Sequence, residues 1–323
     1  MKMHSRWMSL TFLIMMGASI FLSLFVQAAE PSSSAKSPQT FASPNEAAEG
    51  LIEAIRADDN KALLRVFGQD ANSWLFTGDK VADQKEKDIF VAKYDAKNSL
   101  ELEGDDKVIL SVGDDDWPFP APIIKQGNRW KFDAAAGREE LINRRVGRNE
   151  LSTIQTLRAI VDAQREYAAT DADKNGYHEY ANKFRSGPGK KDGLYWPTKA
   201  DEQQSPLGSL LAAASREGYT SQKTGPQPYH GYYYKILTRQ GKDAPQGAYN
   251  YMVKGKLLGG FAVLAYPVKY GNSGVQTFII NHDATVYEKN LGPATAKTAP
   301  AITSFNPDSS WSELVDTTSS LNL

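Results

Sequence analysis

The run Asp171-Ala172-Asp173-Lys174-Asn175-Gly176-Tyr177-His178-Glu179 has the spacing of a calcium loop. Asp171, Asp173 and Asn175 present side-chain oxygens at alternate positions, Gly176 permits a sharp turn, Tyr177 offers a backbone carbonyl and Glu179 a further carboxylate. Hard oxygen ligands in one tight loop suit Ca2+ better than a transition metal. The closing position, where a bidentate Glu belongs, holds Asn182, so Asp192 or a backbone carbonyl would have to complete the shell. The same residues also spell an Asx-type turn that ends a helix, with Asn175 and Gly176 reversing the chain. Both readings, a Ca2+ cofactor and a structural turn, stand at the level of sequence.

Aromatic density is the second signal. Tyr195, Trp196, Tyr219, Tyr229, Tyr232, Tyr233, Tyr234, Tyr249 and Tyr251 all fall within residues 195–251. Strand alternation puts Tyr232 and Tyr234 on one sheet face and Tyr233 on the other. One face must pack in a core; the other is free to form an amphipathic platform. Tyr232, Tyr233, Tyr234, Tyr249, Tyr251 and Trp196 are the candidate ligand-binding residues, with an envelope protein or polysaccharide as the expected partner.

No catalytic set assembles. His178, His230 and His282 stand in no HExxH or HxH pattern, which speaks against zinc. Gly271-Asn272-Ser273-Gly274 is not a nucleophile elbow, and Gly187-Pro188-Gly189-Lys190-Lys191 lacks the leading Gly and the Ser/Thr of a phosphate loop. Asp114-Asp115-Asp116 before Trp117 is the plainest cluster of carboxylates and reads as a solvated loop. The chain has no Cys, which excludes disulfides and thiol nucleophiles, and 37 Lys+Arg against 38 Asp+Glu leave no basic excess for nucleic acid.

The elements that must position these groups begin after an export pattern. Lys2 and Arg6 precede the apolar run 10–26, and Val26-Gln27-Ala28 offers a cleavage site. Residues 1–28 therefore read as a signal peptide, and a periplasmic or secreted protein starting at Ala29, with no membrane span after cleavage, is expected. Residues 29–44 are Ser/Pro/Ala-rich and read as a flexible tether. An α+β fold is predicted, with two small antiparallel-sheet subdomains joined by a long amphipathic helix. Helices opening at Ser43-Pro44, at 62–67 and at 82–95 precede strands at 99–102, 108–112, 123–125 and 129–132, bounding a first subdomain over 45–133. Apolar residues from Leu141 to Tyr167 recur every three or four positions and predict a connecting helix over 134–170, which Gly147 is expected to bend. Its arginines, among them Arg144, Arg145 and Arg148, read as an anion rail or, more simply, as partners for nearby glutamates. Strands at 231–237, 249–253, 261–266, 275–281 and 286–288 fill a second subdomain over 171–292, and the Ala/Thr/Pro/Ser-rich stretch 293–323 reads as a loose tail.

Four segments carry a family resemblance: Glu150 to Tyr167 with the Asp171-x-Asp173-x-Asn175-Gly176 loop, Tyr229 to Gly241, Gly259 to Pro267, and Gly274 to Asn281. They resemble an uncharacterised bacterial family designated domain of unknown function 2950. The resemblance spans nearly all of the chain after residue 28 and implies a secreted Gram-negative protein of one recurring architecture. In architecture, residues 44–133 also resemble NTF2-like domains, and the second half resembles the head of a pilin or pseudopilin. It departs from pilins in lacking a prepilin processing site and an apolar helix leading into the head. The expectation is an extracytoplasmic non-enzymatic binding or structural module acting through protein or envelope-polymer contacts. The alternative is an envelope-polymer hydrolase using paired carboxylates in the first half.

Overall fold

A computed structural model of the chain describes residues 37–171, 174–199, 201–220 and 226–315. The expected signal peptide and residues 29–36 of the expected tether lie outside the described residues.

Oxygen-bearing side chains open the main helices of the first half. Ser43 caps α1 (Pro44–Arg56) by accepting from the Glu46 N–H, and Asp59 caps α2 (Asn60–Phe67) by accepting from the Lys61 and Ala62 N–H groups. After the short α3 (Asn72–Leu75), Asp79 starts α4 (Lys80–Ala96) in the same way. Strands β1 (Asn98–Leu102), β2 (Lys107–Val112), β3 (Trp117–Pro118), β4 (Ile123–Gln126) and β5 (Arg129–Phe132) form one antiparallel sheet in the order β1-β2-β4-β5, with β3 also on β2. Gly127, at φ 64°, turns the chain between β4 and β5, as the Gln126-Gly127-Asn128 signal predicts. The core under this sheet includes Leu51, Leu110, Ile123, Phe132 and Trp74. Residues 37–43 do not behave as a tether. Phe41 is buried and pairs with Trp130 beside β5, and Gln39 donates to the Arg65 carbonyl at 2.8 Å. Burying one aromatic ring and pairing its backbone holds this stretch, which composition alone reads as loose.

Asp133 caps α5 (Ala134–Ala169), which runs about 54 Å at 1.5 Å per residue. It serves both halves. Ala134, Leu141 and Ile142 pack on the first core, and Leu157, Ile160, Val161 and Tyr167 are buried in the second. Gly147 does not break the helix, and a Cβ there would meet nothing within 4 Å. Gly137 is different: its Cβ would stand 2.6 Å from the Ala121 Cα, because the first turns of α5 lie directly on that backbone. Gly147→Ala is therefore expected to stabilise the protein by up to about 1 kcal/mol. Gly137→Ala is expected to destabilise it by about 1–3 kcal/mol through overpacking. Urea unfolding of both variants checks the opposite signs.

The second half follows with α6 (Gly208–Arg216), β6 (Tyr232–Leu237), β7 (Arg239–Gln240), β8 (Tyr249–Asn250), β9 (Met252–Val253), β10 (Lys256–Leu257), β11 (Ala262–Pro267), β12 (Gln276–Asn281), β13 (Val286–Asn290), α7 (Thr295–Thr298) and β14 (Ser312–Glu313). The five-stranded antiparallel sheet has the order β14-β13-β12-β11-β6. The strand expected over 249–253 is two: β8 pairs with β7, and β9 with β10. Register puts Tyr232, Tyr234, Val263, Phe278 and Ile280 on the face that α5 covers.

The opposite face is covered as well, and by the stretch expected as a loose tail. Thr295, Ala299 and Phe305 are fully buried, and the Lys235 ammonium donates to the carbonyls of Pro300 at 2.8 Å and Ile302 at 2.9 Å. Phe305 ties its backbone to Arg239 and Gly241, and β14 adds itself to β13. An apolar sheet face left open would be costly, and this strap closes it. No helix among the described residues is long and apolar enough to cross a membrane.

Candidate functional site

Both halves contribute to one buried joint. The Asp79 carboxylate is 1% exposed. One oxygen caps α4, accepting from Val81 at 3.2 Å and Ala82 at 3.1 Å; the other accepts from the Tyr219 hydroxyl at 3.0 Å and from the Gly231 N–H at 2.9 Å. A residue of the first half thus holds the foot of β6. Beside it, Asp83 accepts from the Thr77 hydroxyl at 2.7 Å, and burial pushes its carboxyl above the ordinary range. Arg145 of α5 donates to the Trp74 carbonyl at 2.8 Å and to the Asn272 side chain, and Asn272 and Lys269 donate to the Phe76 carbonyl at 3.0 and 3.2 Å. Desolvation lowers both the Arg145 and Lys269 values. Glu150 accepts from the N–H groups of Val275 and Gln276, each at 2.9 Å, and so fixes α5 to the start of β12.

Against this joint lies a half-open cleft of about 860 Å³. One wall is Leu207 with Leu210, Leu211, Ala214 and Ser215 of α6, and its floor includes Thr156 and Ile160 of α5 with Tyr234 of β6. Phe184, Arg185 and Tyr195 close one end, and Gly78 to Val81 with Tyr219 and Tyr229 close the other. The volume falls within the range of small-ligand sites, and the mix of apolar walls with a few polar groups is typical of them. Arg185 stacks over the Tyr195 ring at 4.8 Å. Tyr219 donates to Asp79 and accepts from the His230 N–H at 3.1 Å; its burial, and next the Asp79 charge, push the phenol far up. Burial, with the Glu217 charge as a smaller cause, pushes Tyr229 up to about 12. These phenols stay neutral hydrogen-bonding walls at any physiological pH.

Residues 38–314 match the family described as "Protein of unknown function (DUF2950)", a span that includes both sheets, α5 and every wall of the cleft. The chain belongs to the DUF2950 family. No curated protein and no solved structure matches it.

In this DUF2950 chain the six aromatic candidates do not form a platform. Tyr232 and Tyr251 are fully buried and Trp196 nearly so. The Tyr232 hydroxyl donates to the Gln276 carbonyl at 3.0 Å, and the Tyr251 hydroxyl to the Gln240 side chain at 2.8 Å. Trp196 lies edge-on to Tyr167. Tyr233 is half-buried against Tyr266, and Tyr249 half-buried against Tyr251. Of the six only Tyr234 lines the cleft. The expectation of exposed rings fails for Tyr232, which lies on the sheet face that α5 covers, for Trp196, which packs on Tyr167 of α5, and for Tyr251, whose ring meets Tyr249 and His282. Tyr195, Tyr219 and Tyr229, part of the same aromatic run, do reach the cleft.

In the candidate calcium loop, Asp171 and Asn175 form hydrogen bonds of the Asx type. Asp171 accepts from the N–H groups of Asn175 at 2.9 Å and Gly176 at 2.8 Å, and Asn175 accepts from the Tyr177 N–H at 3.0 Å. Glu179 pairs with Lys256 at 2.9 Å. Asp173 lies outside the described residues. Among the described residues no group of three or more His, Asp or Glu stands together as metal ligands. The acidic loop of the first half is tied to the end of α4, with Asp115 on Lys93 and Asp116 on the C-cap residue Lys97, each at 2.7 Å. The arginine row divides: Arg144 pairs with Glu140 at 2.5 Å, Arg148 reaches Glu86 of α4 at 2.6 Å, and Arg145 enters the joint.

Pattern reading missed α6 and the roles of Asp79, Lys80, Arg185 and Phe184. The run Leu210-Leu211-Ala212-Ala213-Ala214 is itself a helix signal. Nothing local to Asp79 announces that Tyr219 and Gly231 will bond to it.

Proposed function

We propose that this protein is an extracytoplasmic, non-catalytic binding module whose working site is the cleft beside α6. One observation carries the reading: the cleft offers a large aromatic and aliphatic surface, while the carboxylate facing it, Asp79, already holds four hydrogen bonds. A committed carboxylate anchors walls rather than moving protons. The buried acids of the first half, Asp79 and Asp83, serve the joint in this way, and no arrangement of carboxylates among the described residues favours the hydrolase alternative. Export rests on the Lys2/Arg6 start, the apolar run and the Val26-Gln27-Ala28 site. The envelope supplies both protein and polysaccharide partners.

The cleft is tested with an apolar fluorescent probe, 1-anilinonaphthalene-8-sulfonate. The wild-type protein is expected to bind it saturably, one per chain. Ser215→Trp, which places a ring at an exposed wall position, is expected to weaken the probe at least tenfold with an unchanged melting temperature. Equal binding by both proteins overturns the site. The address is tested by mass spectrometry of exported material, which is expected to begin at Ala29; a start at Met1 overturns cleavage.

A further inference from the structure

Of β6, Tyr234 lines the cleft, and the outer edge of the strand is hydrogen-bonded at both ends and unpaired between them. At one end the Tyr232 N–H donates to the Tyr229 carbonyl at 3.1 Å, and the Tyr229 N–H donates back to the Tyr232 carbonyl at 2.9 Å. At the other end the Thr238 carbonyl accepts from the Tyr251 N–H at 3.0 Å. Residues 232 and 238 therefore turn their backbone polar groups away from β11. In an antiparallel ladder that direction repeats every second residue, so the N–H and C=O groups of Tyr234 and Ile236 point off the same edge. They meet no hydrogen-bond partner among the described residues. The span between the two closed ends is about 20 Å at 3.3 Å per residue, room for a short added strand.

An unpaired edge of this kind is ordinarily guarded by a charge or a proline. Here the one cation of the strand, Lys235, points to the opposite sheet face and is held by the Pro300 and Ile302 carbonyls. Tyr234 itself lines the cleft, which brings the edge at that residue beside the apolar walls. Residues that pair across a ladder share a face. An added strand would thus set the side chains opposite Tyr234 and Ile236 on the α5 and α6 side, toward Leu210, Leu211 and Tyr229. The charges lining the cleft are also one-sided. Asp79 is consumed within the protein, whereas Lys80 and Arg185 pair with no carboxylate among the described residues.

From this juxtaposition we infer that the cleft takes an extended peptide by strand addition to β6. The peptide is apolar at two alternate positions and carries an acidic group for Lys80 or Arg185. This rests on the cleft being the working site. Backbone pairing at Tyr234 and Ile236 supplies four hydrogen bonds independent of side-chain identity, and the pocket reads alternate side chains, the division of labour general to strand addition. The remaining peptide side chains face away from the cleft and stay polar.

The test pans a random heptapeptide phage library against the purified full chain. Enrichment of alternate apolar residues with an Asp or Glu is expected. A synthetic copy of an enriched peptide should displace the fluorescent probe and slow deuterium exchange of the Tyr234 and Ile236 amides at least tenfold. N-methylation of the peptide amides that face β6 should weaken binding at least tenfold, and amidation of the acidic group several-fold. Ile236→Pro removes one edge N–H without touching the ladder to β11 and should weaken the peptide in the same way. If that variant does not fold, the N-methyl peptides decide the matter on wild-type protein. An N-methylated peptide that binds as tightly as its parent overturns strand addition. So does a library without enrichment, or displacement of the probe by a β-1,4-linked amino-sugar hexamer and by no peptide, while the probe still saturates the cleft; the working site then stands without its peptide. Failure of the probe itself overturns both.

Discussion

Asp79→Ala is expected to cost about 4 kcal/mol and to lower the melting temperature by about 10 °C. The loss has three parts. The α4 N-cap disappears, at about 1 kcal/mol. The Tyr219 hydroxyl and the Gly231 N–H lose a charged acceptor inside the protein, at about 1.5–3 kcal/mol each, partly offset because a buried charge goes too. For a chain of this size each kcal/mol moves the transition by about 2–4 °C. The site should suffer as well, because Tyr219 is a cleft wall and Gly231 the foot of β6. Asp79→Asn separates the contributions. Its carbonyl oxygen keeps the cap on Val81 and Ala82, but its amide nitrogen cannot accept from Tyr219 or Gly231, so about three quarters of the loss should remain. Thermal melts of the three proteins with probe titrations check this. A stability of Asp79→Ala within 1 kcal/mol of wild type would mean that the joint does not hold the halves.

Phe305→Ala carries the second large effect. The ring is fully buried against Tyr287, 5.8 Å between ring centres, and its backbone is paired on both sides with Arg239 and Gly241. Truncating a buried Phe costs about 3–5 kcal/mol. The loss should not stay local, because Phe305 is the clasp of the strap that covers the second sheet face. Lys235 loses its carbonyl partners when 300–302 lifts, and Leu264 and Ile279 of the uncovered face meet water. The variant is therefore expected to aggregate on warming and to lose residues beyond about 292 to limited proteolysis while the first half resists. A tail cleaved no faster than in wild type would contradict the clasp.

The residues that announced the fold are those whose signals are local. Ser43, Asp59 and Asp133 sit next to the helices they cap, and the periodicity from Leu141 to Tyr167 lies within one helix. The strand runs at 129–132 and 276–281 declare themselves by β-branched and aromatic content. What stayed hidden depends on partners far along the chain. Tyr219 is 140 positions from Asp79, and Gly231 is 152. No window of sequence contains that node, and so none contains the cleft built around it. The strap failed to show for a related reason: its composition lacks periodicity, and one Phe with borrowed backbone partners holds it down. Alternation correctly separated Tyr232 and Tyr234 from Tyr233, but alternation says which residues share a face and nothing about whether that face is covered.

The helix α5 gives its first turns to one core and the larger part of its apolar stripe to the other. An exchange of either layer for an unrelated module, by recombination or by design, would strand several turns of greasy helix with nothing to lie on. The two layers are bound to travel through descent as a single indivisible piece, and whatever changes accumulate in one must remain compatible with a rod whose other end answers to a different neighbour.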